Sequence, residues 1–555
     1  MKIINIKIIS FFVLVTVLYS NISLAQRSIG LTKKQNWQLL DFKQDSVYGT
    51  SVNRAYKELL KGKKSHTVIV AVIDEGVDIN QEDLLGHIWT NKKEIPSNGK
   101  DDDNNGYVDD VHGWNFLGGK DGRNIYATNS EADREYYRLA PQFRGKDTAQ
   151  FAINKNYRYF LRVKSKHIED SIARNTDNTK RILPIIAKVS DIDSIIKKQT
   201  HKQVVSYQDV IDFQPKDSVE NALKKFIVMF YSKSTSVRQA ITLDSLLKVG
   251  REAIAMIRDD QKLYKQVAND PSVQRKEIIG DNPFNINDKS YGNNLVGDKY
   301  ANHGTHCAGI IAAIRNNGIG MDGVTDNVLI MPVRAVNYGE YGDERDKDVA
   351  LAIRYAVDNG ARIISMSFGK QLSPQKQWVD DAIKYAGKKG VLLIHAAMND
   401  NLNNDSVEVY PSPNYLNSSG TAKNFITVGA TSIDTGLTLP ATFSNYGQKQ
   451  VDIFAPGVAI YSTLPENKYQ YYSGTSMATP VVAGIAALIL EYYPDLTPEQ
   501  LKMILLSSVT SLKGKIVYKP GTKQKVDFGT LCKSGGVVNA YKALQLASTI
   551  SKSNN

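Results

Sequence analysis

Thr67-Val-Ile-Val-Ala-Val-Ile73 is an unbroken apolar run, mostly β-branched, and it stops on Asp74, the first carboxylate of Asp74-Glu-Gly-Val-Asp78. A run of this kind has no polar face, so it predicts a central strand of a parallel sheet covered on both sides. An aspartate at its end then lies at the carboxyl edge of the sheet, where sites form in α/β proteins.

Toward the C-terminus, apolar runs at 328–333, 363–368, 391–395, 425–428 and 451–454 alternate with helical spacing at 348–358 and 378–386. Strands alternating with helices predict an α/β domain on a mostly parallel sheet. Two more helices are expected, over about 475–492 and from 498 to about 508, followed by a polar tail at 548–555.

Between these halves the texture changes. Residues 151–249 hold no glycine and only two prolines among many Lys, Arg, Asp, Gln and Ile. An α/β core needs glycine at its turns, so this stretch predicts an inserted, mainly α-helical subdomain with helices over 157–173, 180–199, 219–231 and 236–266. The expected plan is a signal segment at 1–25, a discontinuous α/β domain at 26–120 and 290–547, a helical insertion at 121–289 and the tail at 548–555.

Lys2 and Lys7 precede an apolar run over 8–19, and Ser23-Leu24-Ala25 offers small residues for cleavage before Gln26. Export is expected, to periplasm or medium, with a mature start near Gln26 and little further N-terminal processing. The run is shorter than the ~20 residues a spanning helix needs, so no stable membrane anchor is expected after signal removal. Cys307 and Cys532 are too few for a disulfide framework. The formal charge of +12 is scattered among 57 acidic residues without a basic stripe, which argues against nucleic acid as a partner.

Three short stretches carry chemistry. Ser476 lies in Gly474-Thr-Ser-Met-Ala-Thr-Pro480, just before an apolar helix. Its neighbouring backbone N–H groups favour developing negative charge, although a serine here reads equally well as a helix cap. His303 lies in Asn302-His-Gly-Thr-His-Cys-Ala-Gly309, also at a helix start, where a neutral imidazole can serve as general base. Zinc is not expected, because His303 and His306 are three apart with no intervening Glu. Asp74 could orient the imidazole, or simply make a turn.

The order Asp, His, Ser and all three contexts together resemble the subtilisin family of serine peptidases, over roughly 36–107 and 291–546 but not over the insertion. That resemblance implies a three-layer subtilisin-like α/β fold and a catalytic triad of Asp74, His303 and Ser476. It implies that Asn399, in Leu393-Ile-His-Ala-Ala-Met-Asn399, donates to the oxyanion, with methionine where the family usually has glycine. It also implies that Ser365-Met-Ser-Phe-Gly369 is an edge strand that pairs with extended substrate through Ser365, Ser367 and Gly369. Family members with cysteine at the place of Cys307 hold it near the catalytic imidazole, buried rather than nucleophilic.

Asp101-Asp-Asp-Asn-Asn-Gly-Tyr-Val-Asp-Asp110 sets oxygens at alternate positions around one glycine. Structural calcium is expected there, at Asp101, Asp103, Asn105, Tyr107, Asp109 and Asp110, although position 12 is His112 and not the Glu of an EF-hand. The function expected is an exported serine endopeptidase that hydrolyses peptide bonds in protein or peptide substrates through an acyl-enzyme, without an organic cofactor. A binding protein built on the same fold and an esterase are the rival readings. The insertion falls between Asp74 and His303, so it is expected at the rim of the site as a gate, a dock for an unknown partner or a spacer.

Overall fold

The computed structural model describes residues 35–143, 154–175, 179–232, 242–265, 271–339 and 342–553. The expected signal segment and the start at Gln26 lie outside the described residues.

The run Thr67–Ile73 forms β1 (Val68–Asp74). The other strands are β2 (Trp114–Asn115), β3 (Val328–Arg334), β4 (Ile363–Met366), β5 (Leu392–Ala396), β6 (Phe425–Thr431), β7 (Ile453–Pro456), β8 (Ile460–Leu464), β9 (Lys468–Tyr472), β10 (Thr510–Ser511), β11 (Ile516–Tyr518), β12 (Lys525–Asp527) and β13 (Gly536–Val537). Among the described residues, nine of them form one sheet in the order β10-β13-β7-β6-β5-β4-β1-β3-β2, and only β10 with β13 is antiparallel. The class is therefore α/β with a mostly parallel sheet.

Alternation along β1 explains the layers. Val68, Val70 and Val72 enter one apolar cluster, with Ile310 and Ile311 of the helix Asn302–Ala312 and with Val481 and Ile485 of the helix Thr475–Tyr492. Ala71 and Ile73 enter the opposite cluster, with Val349 and Ile353 of Asp346–Asp358 and with Val379 and Ile383 of Lys376–Lys388. Successive side chains of a strand point to opposite faces, so a run without a polar face needs helices on both. Among the described residues, Thr475–Tyr492 is the one helix long and apolar enough to cross a membrane, and it is almost wholly buried as the core helix of this layer.

In chain order we number the α-helices of six residues or more α1 (Glu131–Phe143), α2 (Lys155–Asn175), α3 (Thr179–Thr200), α4 (Tyr207–Asp212), α5 (Ser218–Ser232), α6 (Leu243–Tyr264), α7 (Pro271–Ile278), α8 (Asn302–Ala312), α9 (Asp346–Asp358), α10 (Lys376–Lys388), α11 (Thr475–Tyr492), α12 (Pro498–Ser507) and α13 (Ala540–Ser553). Helices α1 to α7 follow one another between β2 and α8. Part of this segment has an apolar core of its own, in which Val189, Ile192, Ile227, Leu243 and Leu247 meet. Three of these helices were not expected: α1 and α7 are charge-rich, and α4 is too short to show a period. The expected start of the last long helix at 236 lies outside the described residues.

Two expectations are corrected here. Residues 548–553 are not a frayed tail but the last turns of α13, because Ala543, Leu544, Ala547 and Ile550 continue a helical stripe onto the core. Segment 365–369 is not an edge strand. Its first two residues belong to β4, which pairs with β1 on one side and β5 on the other.

Candidate active site

Asp74, Ser367 and Asn399 stand at the carboxyl ends of three adjacent strands, β1, β4 and β5. The Asp74 carboxylate lies 2.9 and 3.0 Å from Nδ1 of His303. In the neutral imidazole, this contact assigns the proton to Nδ1 and leaves Nε2 free to accept one. His303 is the second residue of α8, and its backbone N–H donates to Oε1 of Glu75 at 2.5 Å. The glycine after it lets the helix start touch the end of β1: a Cβ on Gly304 would stand 2.0 Å from the carbonyl oxygen of Gly76. Burial opposes the imidazolium, but the carboxylates of Asp74 and Glu75 outweigh it and raise the His303 pKa to about 9. Burial and the Asp74 charge in turn raise Glu75 to about 8, against the pull of His303 and Arg334.

Ser476 is the second residue of α11, where backbone N–H groups have no intrahelical acceptor. Pro480 lies four residues on and has no N–H, so the Ser476 carbonyl lacks its helical donor. That carbonyl instead accepts from Oγ of Ser367 at 2.9 Å and from Sγ of Cys307 at 3.6 Å. In return, Oγ of Ser476 donates to the Ser367 carbonyl at 3.1 Å. The hydroxyl thus rests on Ser367 rather than on His303, an arrangement compatible with a catalytic bond that tightens only when substrate binds. Cys307, one turn after His303, is fully buried, and burial followed by the Asp74 charge raises its thiol pKa. A neutral buried thiol is a poor nucleophile.

Asn399 is exposed, and its Oδ1 accepts from both N–H and Oγ1 of Thr475, at 2.9 and 3.0 Å. The amide nitrogen lies beside the Ser476 end of the site: a Cβ added at Gly474 would stand 3.5 Å from it and 3.5 Å from the Ser476 backbone nitrogen. Met398 stands at φ +82°, a backbone conformation that favours glycine. Its sulfur crowds Gly369, where a Cβ would come within 2.8 Å of it.

Of the expected substrate contacts, Ser365 is buried inside β4 with neighbours on both sides. Ser367 and Gly369 lie beyond the end of the strand, at the site. A cavity of about 320 Å³ opens nearby, lined by His395, Val409, Tyr410, Pro411 and Thr427 among others. Burial lowers the His395 pKa to about 4, so its imidazole is neutral at pH ~7.

The acidic loop is divided by the structure. Asp101 and Asp103 converge with Glu94, their oxygens within 4.8 Å of one another. Oε1 of Glu94 accepts the N–H groups of Asp102 and Asp103, while Oε2 is buried without a partner. The other expected ligands turn elsewhere. Asp109 accepts from the N–H groups of Asn98 and Gly99, and Asp110 accepts from the Tyr355 hydroxyl and from Asn91 and Asn105. The Asn105 oxygen accepts the Tyr107 N–H, and the Tyr107 ring packs on Trp114 and Tyr355. Sequence reasoning missed Glu94 because it precedes the loop by seven residues. It missed Glu75 because a carboxylate beside Asp74 carries no pattern of its own.

The helical segment between β2 and α8 reaches this side of the molecule through α1 and α2. Phe160 and Val163 pack with Leu139 and with Leu372, three residues beyond Gly369. Arg162 donates to the Gln371 carbonyl at 2.8 Å and lies 3.6 Å from Glu408, next to the residues of the cavity wall. Lys370, fully buried, joins Glu131 of α1 at 2.7 Å and Asp346 at 2.9 Å.

A family model described as the subtilase family matches residues 65–529. A thermophilic serine proteinase of Bacillus sp. (strain AK1) is 43% identical over 188 residues, covering 34% of this chain and 42% of that protein. Thermitase of Thermoactinomyces vulgaris is 34% identical over 243 residues, covering 44% of this chain and 75% of thermitase. Among solved structures, a protease of Pseudoalteromonas arctica PAMC 21717 is 32% identical, with a TM-score of 0.36, covering 44% of this chain and 70% of that one.

Proposed function

From the premise that this chain belongs to the subtilase family of serine peptidases, we propose that it is an exported serine endopeptidase acting on protein or peptide substrates with Asp74, His303 and Ser476 as its triad. The observation that carries this reading is the Nδ1 contact of His303 with Asp74 at 2.9 Å, on a helix packed against the one that bears Ser476.

In this mechanism Nε2 of His303 takes the proton from Oγ of Ser476 as that oxygen attacks the scissile carbonyl. The amide nitrogen of Asn399 and the backbone N–H of Ser476 donate to the oxyanion. The imidazolium, held by Asp74, gives its proton to the leaving amine, and the acyl-enzyme forms. Water then repeats the sequence, with His303 as base, and releases the acid. Substrate backbone would lie along Ser367 and Gly369, with the side chain preceding the scissile bond directed toward the cavity beside Val409 and Tyr410.

Calcium is the cation that suits the three carboxylates of Glu94, Asp101 and Asp103, since a hard ion takes oxygen ligands. The unpartnered Oε2 of Glu94 favours this fit. Bound there, calcium would tie the acidic loop to the preceding segment. The α1–α2 pair is proposed as a gate, because Arg162 and Phe160 stand against the segment that follows Gly369.

The deciding experiment labels purified mature protein with a fluorophosphonate, beside Ser476→Ala and with or without chelator. Label on Ser476 that is absent from the variant is expected, with a lower Tm in chelator. Folded, calcium-loaded protein that takes no label would favour a binding protein on this fold.

A further inference from the structure

Glu75 has no part in the mechanism above, yet it is 6% exposed and its carboxylate touches the residue that carries the general base. Oε1 of Glu75 accepts the His303 N–H at 2.5 Å, at the start of α8, while the N–H of Glu75 itself donates to Oδ1 of Asp74 at 2.8 Å. One residue thus binds the backbone of His303 and the side chain of Asp74. A carboxylate so placed is stabilised by the positive end of the helix dipole.

We propose that Glu75 is a positioning residue of the active site, a second carboxylate that anchors the backbone of His303 at the helix start and whose charge strengthens His303 as a base. The proposal rests on the peptidase reading above and extends it.

The groups around Glu75 leave few other sources of such an effect. They are Asp74 on β1, Arg334 on β3, His303 with His306 and Cys307 on α8, and Tyr472 on β9. Burial raises the Cys307 thiol and the Tyr472 phenol, and it lowers His306 to about 3. Glu75 and His303, raised to about 8 and about 9, are left as the neighbouring pair, and their protons are released as a coupled set. A negative charge beside an imidazole favours the imidazolium, so removing it lowers the basicity of His303.

The test measures the rate of fluorophosphonate labelling from pH ~6 to ~11 for the wild type, Glu75→Gln and Glu75→Ser. Glu75→Gln keeps an oxygen to accept the His303 N–H and loses only the charge. The acid limb of the profile is expected to move down by about one pH unit in both variants. A role confined to holding the helix start predicts an unmoved limb in Glu75→Gln. An unmoved limb in whichever variant folds overturns the proposal, while wild-type protein that never labels removes the peptidase reading and this proposal together.

Discussion

At the scale of single residues, the site combines an amide oriented by Thr475 with a methionine in a backbone conformation that favours glycine. Asn399 has its oxygen held by Thr475 and its nitrogen free for the oxyanion. Asn399→Ala is expected to lower kcat by roughly 10²–10³ with little change in KM, a magnitude that comes from a subtilisin itself. Met398 occupies a backbone conformation at φ +82° that favours glycine, and its sulfur would stand 2.8 Å from a Cβ added at Gly369. Met398→Gly should relieve strain of ~1 kcal/mol and open the space beside Gly369. Cleavage after large apolar side chains should rise about tenfold relative to cleavage after alanine, and an unchanged ratio in a peptide library would show that Met398 does not narrow the pocket.

At the scale of elements, helices α1 and α2 meet the sheet domain at the segment that follows Gly369. Helix α2 contributes Phe160 and Val163 to a small apolar cluster with Leu372, and α1 contributes Glu131 to buried Lys370. Loosening α2 by Phe160→Ala with Val163→Ala leaves the Lys370 ion pairs in place. If α1 and α2 form a gate, the double variant should cleave a folded protein several-fold faster relative to a short peptide than the wild type does. Equal ratios, read from paired initial rates, would make the insertion a spacer or a dock. The helices α2, α3 and α5 were legible because long stretches without glycine keep a helical period. The strands β8 to β13 were not, because their pairing is made across turns and not by any periodic run.

At the scale of the whole molecule, several buried carboxyls set the response to pH. Burial chiefly raises Glu75, Glu344 and Glu491 to about 8. The folded state therefore binds more protons than the unfolded one, whose glutamates titrate near ~4.5, and stability declines as pH rises from ~4.5 to ~8. His303, raised to about 9, adds to the decline above its unfolded value of ~6.5. His306 and His395, lowered to about 3 and about 4, act in the opposite sense below ~6.5. The Tm should accordingly fall from pH ~6.5 to ~9, and Glu491→Gln should flatten that fall in calorimetry. A Tm that rises over the same interval would contradict this assignment of buried acids. What the sequence by itself determined was whatever is encoded locally: the two-faced burial of β1, the helix starts at His303 and Ser476, and the glycine-free helical stretch. What only the tertiary structure decided was convergence between distant segments. It turned 365–369 from an edge strand into the end of a central one, moved the acidic cluster onto Glu94, and set Glu75 against His303. The physical reason is that periodicity and helix capping act over a few neighbouring residues, whereas ligand sets and charge coupling depend on distances that exist only once the chain has packed.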